Sequence, residues 1–279
     1  MLTSEQIDQY RRDGYTVAPN LLSATEVTDL IVELDGICAG NTLAEHSDKL
    51  EMEPNQAPDG TVVRRVYEPC TYYPMFEQLS ESPKLLDCIE GLIGPDILRH
   101  YSKINMKPAE IGSVVEWHQD MGYYPLTNGD SLAALMYLDD TTVANGCLQV
   151  IPGVHEQPLM DHTLDGFFQG KITEPVDESL AVPLEGEAGS VIFMHAMTPH
   201  ASITNTSQTS RRTLIVSYRA SDTYQLFCGT TTVDGHHHEK LVRGVRRQMA
   251  RIAYSEFPMP THRRTTASLY ELQEQSREQ

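Results

Sequence analysis

Apolar residues in the first third of the chain recur at helical spacing. Ile7 and Tyr10 follow Thr3-Ser4-Glu5-Gln6, which has the spacing of a capping box, and Gly14 stops the run, so a first helix is predicted over about residues 4–13. Tyr15-Thr16-Val17 reads as a short strand, and Pro19-Asn20 turns the chain into Ser23-Ala24-Thr25-Glu26. Val27, Leu30, Ile31 and Leu34 then mark a second amphipathic helix. Residues 40–60 are polar and rich in Pro, Asn and Asp, which predicts a mobile loop. Leu85, Leu86, Ile89, Leu92 and Ile93 form a further helical stripe, closed by Gly94-Pro95.

Beyond residue 96 the spacing changes to short β-rich runs broken by turn residues, the pattern of an antiparallel sandwich or barrel. Strands are predicted at 98–107, 113–119, 131–139, 147–151, 180–184, 189–194, 199–204 and 211–220. Asn145-Gly146 predicts a hairpin turn, and Pro152-Gly153 and Gly186 mark further reversals. Two sheets enclosing a pocket are expected. From about residue 235, Leu241, Val245, Met249 and Ile252 return to helical spacing, ahead of a polar tail at 271–279. The expected organisation is one domain over 1–279: a helical N-terminal layer (1–95), a β core (96–225), and a C-terminal helical segment with its tail (226–279).

Composition narrows the partners. The 279 residues are 40% apolar, enough for a sizeable core, and 39 acidic against 21 basic residues give a net charge of −18. Such a charge repels nucleic acid and suits a small-molecule substrate. The N-terminus has no signal-like apolar run and no segment is long and apolar enough to span a bilayer, so a soluble, cytoplasmic protein is expected. Oligomeric state is not legible. Cys38, Cys70, Cys88, Cys147 and Cys228 are scattered, which suggests buried thiols rather than a zinc site or disulfides.

The candidate chemistry begins at His118-Gln119-Asp120. Residues i and i+2 of a strand share a face, and Val114, Val115 and Trp117 support a strand, so an imidazole and a carboxylate meet at one point. A distant second His completes a two-His-one-carboxylate set, which leaves coordination positions open for a cosubstrate and O₂. His200, in Pro199-His200-Ala201-Ser202 after the apolar run Val191-Ile192-Phe193-Met194, is the chosen third ligand. His195, at the end of that run, suits a supporting or core role, and His155, at a loop, a structural role or a place at the pocket edge. The motif alone is weak, since His46-Ser47-Asp48 repeats it in a polar segment without strand pattern. His236-His237-His238 reads as solvated loop, because three adjacent side chains cannot face one ion.

A dicarboxylate cosubstrate needs a fixed cation, and Arg offers a planar fork that matches a carboxylate. Arg211 opens the strand Arg211-Arg212-Thr213-Leu214-Ile215-Val216-Ser217-Tyr218; Thr213 shares its face, whereas Arg212 points away.

Taken together, these residues resemble the phytanoyl-CoA dioxygenase family of iron(II)/2-oxoglutarate oxygenases. The resemblance runs from Leu2-Thr3-Ser4-Glu5-Gln6-Ile7 and Asp13-Gly14-Tyr15 through Lys107-Pro108 and Trp117-His118-Gln119-Asp120. It continues through Asn145-Gly146-Cys147-Leu148-Gln149-Val150-Ile151-Pro152-Gly153-Val154-His155 to Pro199-His200, and so covers the chain to about residue 220. It implies a mainly β fold with flanking helices and a double-stranded β-helix (jelly-roll, cupin-like) core. It also implies Fe(II), 2-oxoglutarate and O₂, with ascorbate as accessory reductant, and oxidation of a C–H bond with release of succinate and CO₂. The family's 2-oxoglutarate arginine lies eleven positions after the distal His, which is Arg211, and related hydroxylases use an Asn thirteen positions before the first His, which is Asn105. Tyr101 and Lys103 share the Asn105 face and are expected to line the substrate pocket. Two departures are Val154, where the family favours Ser, and Ala133, where some relatives use a Ser on the cosubstrate.

Asp120 argues against halogenation, because related halogenases give up that carboxylate to make room for chloride. Trp117, Met121, Tyr123 and Tyr124, beside the metal pair, are candidate pocket or lid residues. The acidic balance and the lack of a basic cleft in the sequence favour a natural product, an amino-acid derivative or a similar small metabolite over a CoA thioester. Two rivals remain at this stage: a cupin-like metal-dependent isomerase or hydrolase, and a non-catalytic sandwich module that binds ligands.

Overall fold

The computed structural model describes residues 1–110, 114–226, 238–259 and 261. The N-terminal part holds α1 (Ser4–Asp13), β1 (Tyr15–Ala18), α2 (Ala24–Cys38), β2 (Leu50–Met52), β3 (Val63–Tyr67), α3 (Pro69–Tyr72), α4 (Pro74–Ser80) and α5 (Pro83–Ile93). The remainder holds β4 (Ile97–Lys107), β5 (Val115–His118), β6 (Ser131–Tyr137), β7 (Leu148–Val150), β8 (Thr163–Leu164) and β9 (Phe167–Phe168). After these come β10 (Val182–Leu184), β11 (Val191–His195), β12 (His200–Ser202), β13 (Arg211–Ala220) and β14 (Lys240–Arg243).

Local chemistry explains the helix ends. Thr3 and Ser23 each accept from the N3 amide of their helix, and Gln6 and Glu26 reach back, so α1 and α2 both start with complete capping boxes. Gly14 ends α1 at φ 79°, and a Cβ there would lie 2.4 Å from Thr198 Oγ1, so both conformation and space require glycine.

Two antiparallel sheets face each other. The larger runs β1-β11-β6-β13-β4-β3-β2, with β14 also on β4; the smaller runs β10-β7-β12-β5. Every residue of β6 is buried, because both faces of the large sheet are covered. Its Leu132, Ala134 and Met136 pack against helical residues such as Leu34, Phe76 and Ile89, whereas Ala133, Leu135 and Tyr137 meet Leu148, Val150 and Leu184 from the small sheet. The inner faces of the sheets thus form a jelly-roll interior, and alternation on each strand decides which residues reach it. No helix among the described residues is long and apolar enough to cross a membrane.

All eight predicted core strands form, but four expectations need correction. The segment expected as a mobile loop at 40–60 holds β2, because Leu50 and Met52 are buried while Glu51 alternates away, and Gln56 ties the turn through Val62 N and O at 2.9 Å each. The N-terminal layer is therefore not purely helical: β1, β2 and β3 all join the large sheet. Asn145-Gly146 does turn the chain, with Asn145 Oδ1 accepting from Thr142 N at 2.8 Å, yet it carries the chain from β6 in one sheet to β7 in the other rather than closing a hairpin. The stripe Leu241, Val245, Met249 and Ile252 does not form a helix.

In its place β14 pairs with β4, and residues 244–259 run on without helix. Val245 and Met249 are 58% and 81% exposed, so the helical stripe has nothing to pack on. Side chains hold the segment extended instead: Arg243 pairs with Asp87 and Glu90, Arg247 with Asp96, and Arg251 with Asp222. The polar tail at 271–279 lies outside the described residues.

Candidate active site

Strands β5 and β12 run antiparallel with His118 opposite His200, and their ring centroids lie 4.0 Å apart. Gln119 keeps an extended backbone (φ −118°, ψ 134°), so Asp120 returns to the face of His118 before a 3₁₀ turn over Asp120–Gly122. One donor atom from each of His118, Asp120 and His200 falls within 4.8 Å of the others, with His200 Nε2 3.9 Å from Asp120 Oδ1. Three neighbouring ligands on a first-row divalent ion, with bonds of roughly 2.1 Å, sit about 3 Å apart, so a small inward shift closes this set.

The backbone orients both rings. His118 Nδ1 donates to Glu116 O at 2.8 Å and His200 Nδ1 to Thr198 O at 3.0 Å, which leaves each Nε2 lone pair toward the shared point. Burial pushes His118 well below the ordinary imidazole range, with His200 adding to the effect; burial also lowers His200, against an opposing pull from Asp120. Both rings are therefore neutral, the form that ligates a metal.

Gln119, between the two candidate ligands, faces the other way and is fully buried. Its Nε2 donates to Met197 O at 2.6 Å, its Oε1 accepts from Met160 N at 2.9 Å, and its amide donates to His162 Nε2 at 3.1 Å. His162 in turn donates through Nδ1 to Met160 O at 2.7 Å. Sequence reasoning does not single out His162, because its contact to Gln119 spans 43 residues and leaves no local signal.

A cavity of about 120 Å³, room for about four water molecules at liquid density, opens beside the trio. Strand β13 sends Arg211 and Thr213 into it and β4 sends Tyr101, Lys103 and Asn105. Thr213 is 1% exposed, and its hydroxyl has no hydrogen-bond partner among the described residues. Asn105 stands opposite Thr213 and accepts from Arg65 Nε at 3.0 Å. Arg212 turns away and grips Asp139 through two bonds of 2.9 and 2.6 Å. Ala133 lines the wall without a hydroxyl.

Tyr123 and Tyr124 line the cavity, but Trp117 and Met121 do not. Trp117 precedes His118, so alternation turns its indole outward to Glu178 Oε1 at 3.3 Å. Met121 sits in the 3₁₀ turn and packs with Leu126, Ala196 and Met197 in a separate apolar cluster. His46 is exposed with its ring on Thr42 O, and Asp48 pairs with Lys49. His195, depressed to about 3 by burial and by His155, accepts from Met197 N outside the cavity, while His155 Nε2 donates to Arg11 O. His236 and His237 lie outside the described residues; His238, expected in solvated loop, instead contacts Thr71 Oγ1 at 3.2 Å and Tyr72 edge-on.

The cavity also has a cationic wall that sequence reasoning missed. Arg65 and Tyr67 of β3 line it beside Lys103, although the chain as a whole is acidic. Alternation in Val63-Arg64-Arg65-Val66-Tyr67 was the available signal. Glu51, despite burial that would raise it, is held low by Arg65 and Arg64, and its Oε2 accepts from Tyr67 at 2.6 Å. Burial lowers Lys103 to about 8, with Arg65 contributing, and raises Glu68 to about 8.

Comparison with known proteins agrees with this geometry. Residues 10–213 match the family model described as Phytanoyl-CoA dioxygenase (PhyH). A relative from Stutzerimonas stutzeri, named "Probable alpha-ketoglutarate-dependent hypophosphite dioxygenase", is 33% identical over 235 residues, which span 81% of this chain and 82% of that one. The ectoine dioxygenase of Bordetella parapertussis is 26% identical over 240 residues, spanning 79% and 76% of the two chains. The crystal structure of EctD from S. alaskensis with 2-oxoglutarate and 5-hydroxyectoine matches with a TM-score of 0.65 at 27% identity, covering 79% of this chain and 77% of that one.

Proposed function

Because this chain belongs to the phytanoyl-CoA dioxygenase family and is an iron(II)- and 2-oxoglutarate-dependent oxygenase, we propose that His118, Asp120 and His200 hold its iron. Arg211, Thr213 and Asn105 hold the cosubstrate, within one oxygenase domain that spans the chain. The reaction is hydroxylation, or a related oxidation, of an unactivated C–H bond in a small metabolite such as a natural-product or amino-acid-derived intermediate. The convergence of three donor atoms within 4.8 Å, beside a buried arginine, carries the reading.

When bound, iron with 2-oxoglutarate and O₂ supplies a two-electron oxidation coupled to decarboxylation of the cosubstrate to succinate. The chain's own contribution is placement. Gln119 and the two backbone carbonyls hold the ligands in register, so little reorganisation is needed on loading. Arg211 fixes the far carboxylate of the cosubstrate, and Thr213 Oγ1, buried without a partner among the described residues, is positioned to donate to the same group. Tyr123 and Tyr124 close one side and limit water. Asp120 keeps the carboxylate that chloride would have to replace, which supports oxygenation over halogenation.

The cupin-like rival without cosubstrate leaves the buried Thr213 hydroxyl with no task, and family membership favours an enzyme over a binding module. Anaerobic addition of Fe(II) and 2-oxoglutarate tests the reading. A weak visible charge-transfer band that needs both additions is expected, and its absence with both present would refute the proposal.

A further inference from the structure

The register between β4 and β13 orders the inward side chains in rows: Lys107 with Arg211, Asn105 with Thr213, Lys103 with Ile215, and Tyr101 with Ser217. Lys103 lies four residues along β4 from the Arg211 row, roughly 13 Å at strand spacing. The row between them, Asn105 and Thr213, belongs to the cosubstrate on the reading above. Lys103 sits past it and lines the same cavity as His118, Asp120 and His200. The chamber thus has two cationic poles, Arg211 and Lys103, set apart along β4 and β13.

The second pole feels the carboxylates of Asp120, Glu51 and Glu68 but has no direct partner among the described residues. Arg65 is answered by Glu51 at 3.4 Å and by Asn105. Glu51 is further engaged by Arg64 and Tyr67, and Glu68 accepts from Ser102 N and Oγ on the neighbouring face of β4. Lys103 lines the cavity with no hydrogen bond or ion pair among the described residues; its ammonium lies 5.6 Å from the centre of the Tyr101 ring. An ammonium drawn from bulk water with no carboxylate in direct contact is costly, and a ligand that brings an oxyanion into contact offsets that cost.

We propose that the substrate carries a small oxyanion, a carboxylate, phosphonate or phosphinate, that pairs with Lys103 while the bond to be oxidised faces the metal. The proposal rests on the oxygenase reading, since Arg211 must be the cosubstrate's pole for Lys103 to be the substrate's. Lys103 is long enough to reach the shared space, and Arg65 and Tyr67 make the adjoining wall polar. At about 120 Å³ the chamber is small, which suits a compact acid or the acidic end of a larger one.

The test uses the protein loaded anaerobically with Fe(II) and 2-oxoglutarate. Two anions, methylphosphonate and propionate, are titrated against their neutral counterparts, dimethyl methylphosphonate and propionamide, with the visible band as readout. At least one anion is expected to bind tenfold or more tightly than its neutral mate. Lys103→Met should reduce that preference to within twofold while the 2-oxoglutarate dissociation constant stays within threefold, and Lys103→Arg should retain the preference. Equal binding of anion and neutral mate by the wild type overturns the inference. So does a Lys103→Met variant that loses 2-oxoglutarate affinity instead, because Lys103 would then belong to the cosubstrate. If the band never forms in the wild type, the oxygenase reading fails first and the inference falls with it.

Discussion

At His46-Ser47-Asp48 the imidazole rests on Thr42 O at 3.1 Å, the carboxylate holds Lys49 at 2.8 Å, and all three side chains are exposed. At His118-Gln119-Asp120 the same two residue types are turned inward, and the residue between them is 0% exposed. The difference lies in the middle residue and the neighbouring strands. Ser47 makes local bonds, to Asn41, Lys49 and Leu50, whereas Gln119 is fixed by Met197, Met160 and His162 from distant parts of the chain. A pair of ligand types becomes a candidate metal site only where packing forces both onto one face and a third donor arrives from the strand opposite.

That comparison can be broken most sharply at the ligands. His118→Ala, Asp120→Ala or His200→Ala should lower substrate-dependent succinate release by about 1,000-fold or more, while His46→Ala and Asp48→Ala stay within about twofold of wild type. Loss of activity in a His46 variant together with normal turnover in the Asp120 variant would exchange the roles of the two motifs.

The two adjacent arginines offer a second contrast. Arg211→Ala should raise the 2-oxoglutarate dissociation constant on the order of 100-fold, since a buried carboxylate would lose its partner. Arg212→Ala should leave that constant unchanged and cost on the order of 1 kcal/mol of stability through the Asp139 pair. A large 2-oxoglutarate effect at Arg212 would move the anchor by one residue.

Replacing the middle residue sharpens the comparison further. Gln119→Leu should weaken Fe(II) binding roughly 10- to 100-fold by loosening the ligand frame, and Ser47→Ala should have no effect on it. Iron titration of the folded variants reads this directly.

The smallest expected effect is on pH. His118 and His200 are held below the ordinary imidazole value of 6.5, so in the metal-free protein both stay neutral where the unfolded chain binds protons. Above pH 6.5 neither state is protonated and there is no contribution; as pH falls below it, stability is lost, by up to about 1.4 kcal/mol per unit for each ring. Chemical denaturation of metal-free protein between about pH 7 and 5 should show a shallower slope for His118→Gln and an unchanged one for His46→Ala.

Most of the framework was legible because it is local. Capping boxes and amphipathic stripes mark α1, α2 and α5, and alternation marks the strands that bury one face on helices and the other between sheets. The convergence of His118, Asp120 and His200 was legible from strand geometry, and the inward turn of Arg211 from the face it shares with Thr213. The remainder depended on distant partners. Strand β2 and helix α3 have only three and four residues and persist through tertiary contacts. Arg65 reaches the chamber because β3 pairs with a strand 40 residues away. Strand β14 overrides a helical stripe because an open edge of β4 and nearby acidic side chains offer more than solvent would. Trp117 was misplaced although alternation could have turned it outward, whereas Met121 belongs to a 3₁₀ turn that no periodicity announces.

The most direct measurement is anomalous scattering at the iron edge from crystals loaded without oxygen with Fe(II) and 2-oxoglutarate. One peak within bonding distance of His118 Nε2, His200 Nε2 and an Asp120 oxygen is predicted, with the cosubstrate's far carboxylate on Arg211. Iron bound elsewhere, or on only one of these side chains, would contradict it.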